Sequence, residues 1–323
     1  MGINEGLRMR IRRILAGIIL PAVGTALVWG LATANPAPVR WGADGHRMAA
    51  RAAHGILPEE MPAFFRESSE QLEYLSPEPD RWRSGELQEM DEAWKYDHYI
   101  DLENVPAGAM EAEDRFEFIG RLYEAGVERP QQNVGFLPFR ILELYQRLAT
   151  GFAHWRLTSS PADRVWIEAR ILNDAGIISH YAVDAAQPHH TTIHFNGWAD
   201  GAPNPKGFST DRNFHSRFES GFVRAHLTND DLRDRLPNFP RTLRNPRAEI
   251  WEHVQSSNAT VERLYELEKA HGFEADGSPH PDTREFALQR LTAGAEMLAA
   301  IWWTAWLESE ALADGLRNRG WGW

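Results

Sequence analysis

The stretch SPADRVWIEARILNDAGIISHYAVDAAQPHH, residues 160–190, carries both the fold signal and the chemical signal of this chain. Ser160 offers a side-chain oxygen to cap a helix, and Pro161 suits a first helical position, where no backbone N–H is needed. The pattern predicts a helix over 161–187, ended by Pro188. His180 and Asp184 are four apart, so a helix presents both on one face, within reach of one ion. His189 and His190 follow at the turn. A single His-x-x-x-Asp pair on a helix is ordinarily a solvated ion pair. Here a second pair of the same spacing, His215 and Glu219 in NFHSRFES (213–220), makes a metal site a serious alternative. Two helices that each supply a His and a carboxylate one turn apart are a means by which bundle proteins build interior metal sites. Spacing alone does not choose among zinc, iron and manganese, because imidazoles with carboxylates suit several ions.

Outward from this stretch the periodicity stays helical. GHRMAARAAHGIL (45–57), PEEMPAFFRESSEQLEYL (58–75), RFEFIGRLYEAG (115–126) and FLPFRILELYQRLATGFAHW (136–155) place apolar residues at three- and four-residue spacing. Further helices are predicted at 212–227, 246–271 and 282–314. The last contains LQRLTAGAEMLAAIWWTAW (288–306), apolar nearly all round, as a central buried helix would be. Segments rich in Pro, Gly, Asp or Asn predict loops at 76–90, 102–113, 127–135, 191–211 and 272–281. Few runs alternate as strands do, and no repeat or low-complexity linker interrupts the pattern. The expectation is a single all-α, multi-helix domain over 41–318, with a short tail at 319–323.

Composition narrows the chemistry. The chain has 323 residues, no cysteine and 13 His, so disulfides and thiolate metal sites are excluded. RMRIRR (8–13) followed by the apolar run 14–34, closing on Ala-Thr-Ala, reads as a secretory signal peptide over 1–34. The competing reading is an uncleaved anchor through 14–34. Either places the body outside the cytoplasm, secreted or periplasmic in the first case and membrane-anchored in the second. Without residues 1–40, which hold five Arg and one Glu, 29 basic and 45 acidic residues remain, a formal charge of −16. Such a surface does not attract polyanions in general, although a cluster of divalent ions could reverse the sign locally.

Three further segments extend the ligand set: WGADGH (41–46), SPEPDRW (76–82) and YDHYIDLE (96–103). Taken in order with SHYAVDAAQPHH and FHSRFES, they resemble the superfamily of zinc-dependent phospholipases C and single-strand-specific nucleases. The resemblance spans most of 41–318 and includes the LPFRI segment and the Ala-rich C-terminal helix. It implies an all-α fold with a cleft holding three zinc ions. By that analogy Asp80, His98, His180 and Asp184 bind one ion. Asp184 bridges to a second, held by His46 and by the amine and carbonyl of Trp41. His190, His215 and Glu219 bind the third. Two departures matter. Trp41 offers an amine only as a mature N-terminus, which requires a second cut after Arg40 and makes 35–40 a short pro-segment. The residue before the last motif histidine, where the family has a Leu-like residue, is His189, read here as a neighbour of the ligand His190.

The resemblance implies hydrolysis of a phosphodiester, with Asp80 also orienting or deprotonating the attacking water. Zinc lowers the pKa of its water to about 7, and nearby cations neutralise the phosphoryl oxygens. The substrate is a phospholipid headgroup or a single-stranded nucleic acid. Glu219, the carboxylate typical of the phospholipase branch, and the acidic surface favour the lipid. Trp82, Trp94, Tyr99, Phe195 and Trp198 lie beside the motifs and suit either a base or a lipid, or simply pack. The loop 191–211 is expected to wall the cleft, with His194 touching a phosphate or merely lying at the surface. Nothing implies a protein partner, and a monomer is expected. A rival of another class is a non-catalytic helical protein with structural zinc. An oxygen-activating di-metal protein would use E-x-x-H pairs, which the site motifs do not provide.

Overall fold

The computed structural model describes residues 42–320. The expected signal peptide (1–34), the extension 35–40, Trp41 and the last tail residues 321–323 lie outside the described residues. Among those described, every regular element is a helix, which bears out the all-α reading. Nine helices of seven or more residues are α1 (Ala43–Gly55), α2 (Ser69–Leu75), α3 (Gln88–Trp94), α4 (Arg115–Glu124), α5 (Leu137–Leu157), α6 (Pro161–Asp184), α7 (Pro246–Asn258), α8 (Val261–His271) and α9 (Pro281–Asn318).

Local chemistry starts the long helices where the sequence predicts. The Ser160 hydroxyl accepts from the Asp163 N–H with Pro161 at the first turn of α6, and Asp114 accepts from Phe116 and Glu117 at the start of α4. Asn245 caps α7 in the same way. α9 runs through the middle of the core, packed on α1, α5 and α6. Trp302 is fully buried there and donates its indole N–H to the Ala175 carbonyl at 3.2 Å. Phe65 meets both Trp302 (5.4 Å) and Phe152 (5.6 Å), so the aromatic centre joins the helices on all sides.

Three predicted elements differ. The helix expected over 58–75 is broken: Pro62 opens a single turn, Ala63–Arg66, and the Ser68 hydroxyl donates to the Phe64 carbonyl, so α2 begins only at Ser69. The loop expected at 76–90 contains a turn of helix, Glu78–Arg81, and the start of α3. The helix expected over 246–271 is two, α7 and α8. At the break the Thr260 hydroxyl donates to the Ser257 carbonyl (2.7 Å), and Asn258 reaches away to the Thr191 carbonyl (2.8 Å). At both helix breaks short polar side chains compete for backbone groups that an uninterrupted helix would have used.

One close crossing positions the chemistry. A Cβ built on Gly176 of α6 would lie 2.3 Å from Leu75 Cβ at the end of α2. The next residue of that chain, Ser76, accepts a hydrogen bond from His180 Nδ1 at 2.9 Å through its carbonyl. Gly176→Ala is therefore expected to lower stability by about 1–3 kcal/mol, overpacking outweighing the gain in helix propensity. The urea midpoint at unchanged slope is the measurement that checks it.

Candidate metal centre

Six segments bring their ligand-type side chains together. α1 supplies His46, the turn Glu78–Arg81 supplies Asp80, and the 3-10 turn Lys95–His98 supplies His98. α6 supplies His180 and Asp184 on one face near its C-terminus. The 3-10 turn Pro188–Thr191 supplies His190, and the helical run 214–226 supplies His215 and Glu219. Three sets form: His46, His180 and Asp184; Asp80, His98 and His180; and His190, His215 and Glu219, the ligand atoms of each within 4.8 Å of one another. These are the side chains the motifs singled out; the third set is the one the resemblance implies, whereas His180 falls in both of the others and Asp184 groups with His46 rather than with Asp80. Trp41, the remaining expected ligand, lies outside the described residues. Its neighbour Gly42 donates its N–H to Ser220 Oγ at 3.2 Å, next to Glu219.

The distances show why a cation suits the cluster. His98 Nδ1 lies 3.0 Å from His180 Nε2 and 3.1 Å from Asp184 Oδ2, and both rings lie 3.9 Å from Asp80 Oδ1. Asp184 turns its other oxygen to His46 Nε2 at 3.5 Å and to His190 at 3.7 Å. Its two oxygens thus face different sets, as a bridging carboxylate requires. His190 Nδ1 donates to the His98 carbonyl, which leaves Nε2 towards Glu219 at 3.5 Å. His180 is held likewise by Ser76, so its tautomer leaves Nε2 facing the cluster. His215 Nε2 lies 2.9 Å from Glu219 Oε2, and Gln187 Nε2 donates to the same oxygen at 3.3 Å. Asp184 Oδ1, His190 Nε2 and Glu219 Oε1 are buried without a hydrogen-bond partner. Unsatisfied lone pairs at this density are what a divalent ion would satisfy. The residues therefore fit a metal, and several ions meet the same description.

Glu219 lies in a π-helical segment, Arg217–Phe222, inside the run 214–226. Such wider turns recur at functional sites because they shift side chains out of α-helical register. The sequence spacing shows the pair but not the bulge.

Burial divides the histidines. It lowers His46 and His98 to about 3, with His180 adding to the effect, so both rings are neutral lone-pair donors. Burial opposes the charge of His190 too, but Asp184 and Glu219 outweigh it and raise that ring to about 9. The same carboxylates stay ionised well below their usual range, because His180, His190 and His215 outweigh their burial.

A cavity of about 660 Å³ opens beside the cluster, lined by His98, His190, His215 and Glu219. Of the aromatic candidates it takes Tyr99 and Phe195, the latter 45% exposed. Trp82, Trp94, His194 and Trp198 are not part of its lining. Trp82 packs edge-on to Trp94 at 5.4 Å, and the buried His194 ring stacks on Trp198 at 3.7 Å while accepting the Ala199 N–H. Those four serve packing, and the loop 191–211 presents Phe195 and Asn196 instead. His189 is buried among Phe214, Phe218 and Tyr265, 4.8 Å from the His215 ring, and both its ring nitrogens are without a hydrogen bond. Burial and His215 hold it neutral, so it is a packed neighbour, while His190 belongs to the ligand set.

Sequence reading missed four cations on the lining: Arg83, Lys95, Arg129 and Arg212. Arg83 stands three residues after Asp80, with its Nη1 3.9 Å from Asp80 Oδ1. That spacing was the available signal. Arg129 holds a left-handed backbone, φ 47°, the only non-glycine to do so among the described residues, and nothing in its local sequence announces it. Asp101 was also missed. It is a lining carboxyl, 6% exposed, with Oδ1 unbonded, and burial together with Glu103 pushes it up to about 8.

No protein-family model matches the chain, and no curated protein is significantly similar to it.

A metal ion taken up at the third set would displace the proton on His190. That ring titrates at about 9 in the folded metal-free chain against 6.5 ordinarily. It therefore contributes stability that is complete below 6.5 and is lost as pH rises through about 9. Zinc affinity runs the other way and is expected to rise from pH 7 to 9, with about one proton released per ion at this set. Calorimetry in buffers of different ionisation enthalpy measures that release.

Proposed function

We propose that the protein is a zinc-dependent phosphodiesterase, with the fold and three-ion centre of the phospholipase C and single-strand nuclease superfamily. The observation that carries the reading is the bridging geometry of Asp184, whose two oxygens face separate sets of imidazoles. A structural zinc site is saturated by protein ligands, whereas each set here offers three side chains, and His98, His190, His215 and Glu219 from two of the sets line a cavity. Zinc bound there would supply Lewis acidity at neutral pH, activating water and neutralising a phosphoryl group.

The side chains suit the remaining work. Asp80 is 22% exposed while the other ligands of its set are buried, so its carboxylate can orient an incoming water and accept its proton. Arg83 presents a guanidinium beside it for a non-bridging phosphoryl oxygen. Burial keeps His46 and His98 in the neutral form that ligates.

Phospholipase C activity is the first reading of substrate, on Glu219 and the acidic surface. A second reading, single-strand nuclease or 3′-nucleotidase activity, is favoured by the lining itself. Tyr99 and Phe195 offer stacking faces, Asp101 offers an unbonded carboxyl to a base edge, and four cations face a polyanion. Secretion or export follows from the same reading of residues 1–34.

The test is zinc-loaded protein incubated side by side with phosphatidylcholine, single-stranded DNA and RNA. Metal-dependent cleavage of at least one is expected, and stoichiometric zinc with no turnover on any would favour a structural role. Asp184→Asn is expected to lower turnover by about 100-fold or more, because it weakens two ions together, with an unchanged circular dichroism spectrum. Near-normal turnover in that variant would overturn the bridging assignment.

A further inference from the structure

Beside the cluster lies a charge network, buried at Arg140 and Asp97, that the proposed chemistry does not use. Arg140 of α5 is 8% exposed. Its Nε lies 3.1 Å from Asp97 Oδ2, an ion pair without hydrogen-bond geometry, and its Nη1 lies 3.6 Å from Glu143 Oε2. Its guanidinium carbon sits 3.9 Å from the centre of the Trp94 ring and 5.6 Å from that of Tyr181. Arg115 closes the network from α4, donating to Asp97 Oδ1 at 3.0 Å and to both Glu143 oxygens at 2.6 and 2.7 Å.

The neighbours of this network carry the argument. Asp97 immediately precedes His98, and Tyr181 immediately follows His180. The Tyr181 ring also meets both imidazoles edge-on, at 5.2 Å from His98 and 5.4 Å from His180. Those two histidines come from different elements, the turn Lys95–His98 and α6, and no helix fixes one relative to the other. Arg140 touches the residue beside each.

We infer that Arg140 is a positioning residue for the metal centre, holding the His98 turn against α6 so that His98 Nδ1 and His180 Nε2 share one ion. The inference rests on the reading of the cluster as a metal centre. A guanidinium spreads its charge over a plane that can lie on aromatic rings while its separate nitrogens pair with two carboxylates, and an ammonium cannot do both. Buried ion networks add little net stability compared with apolar groups of the same volume, so the contribution argued here is geometric. Asp97, whose burial pushes its carboxyl up against the pull of both arginines, is the arm through which the hold reaches His98.

Two variants separate position from stability. Arg140→Lys keeps the charge and loses the plane that lies on Trp94 and Tyr181. The double variant Asp97→Asn, Arg140→Met removes both charges and leaves no buried ion unpaired. Arg147→Gln is the control: Arg147 pairs with buried Asp174 at 2.8 Å and joins the same two helices, about 9 Å along α6 from His180. Each protein is loaded with zinc alone, its affinity is read by competition with a graded chelator, and the metal-free form is melted. Both Arg140 variants are expected to melt cooperatively and to bind zinc about ten-fold more weakly than the parent, with the control unchanged in affinity. Parental affinity in either variant, an equal loss in the control, or failure of both variants to melt cooperatively would overturn the inference. A parent chain that takes up no zinc would sink the metal centre itself, a distinguishable result.

Discussion

A carboxylate buried to 1% exposure among four imidazoles is the constraint on which the rest of this structure depends. Taking an ionised Asp184 out of water is costly unless positive charge accompanies it. The surrounding rings cannot all supply that charge, since burial and mutual repulsion keep His46 and His98 neutral. A proton on His190 or His180 meets part of the demand and leaves several lone pairs crowded at about hydrogen-bond distance. A divalent cation meets the demand and the lone pairs together, and the outward nitrogens of His180 and His190 are anchored on backbone carbonyls in a way that turns the inward ones to it.

The scaffold serves that convergence through a few close contacts. α6 is a long rigid element, and the absence of a side chain at Gly176 lets α2 approach closely enough for Ser76 to hold His180. α6 ends at Asp184, short of the 187 expected, and Gln187 links the two halves of the centre, its side-chain amide donating to Glu219 while its side-chain carbonyl accepts from the His189 N–H. The π turn at 217–222 swings Glu219 inward. None of these contacts is strong alone, but each removes a degree of freedom from a ligand, so less ordering remains to be done when an ion binds.

Charge is distributed unevenly over the molecule. The body carries a formal −16, yet the cavity lining holds Arg83, Lys95, Arg129 and Arg212 beside the imidazole sets. Lys95 is already paired with Asp91 and Glu92, and Arg212 with Asp200, so these cations are partly screened and their field is local. The positive charge of the lining is thus confined to the cavity, against an acidic body.

The all-α class was legible in the sequence because apolar spacing and capping residues are local properties: Ser160, Pro161 and the nearly continuous apolar face of 288–306 define their helices without reference to anything distant. The ligand types were legible for the same reason, since His180 with Asp184, and His215 with Glu219, are each one helical turn apart. The breaks at Ser68 and Asn258 were not, because they depend on which backbone group a polar side chain finds after folding. Nor was the sorting of aromatics, where Tyr99 and Phe195 face the cavity but Trp82 and Trp198 pack. That choice follows from how distant segments stack. Only the tertiary structure decided that His46, Asp80, His98 and His190 share one crevice with Asp184, and that Arg83 and Asp101 line the space beside it. Burial, which determines the protonation of every one of those groups, is created by packing between segments and has no counterpart in any short stretch of the chain.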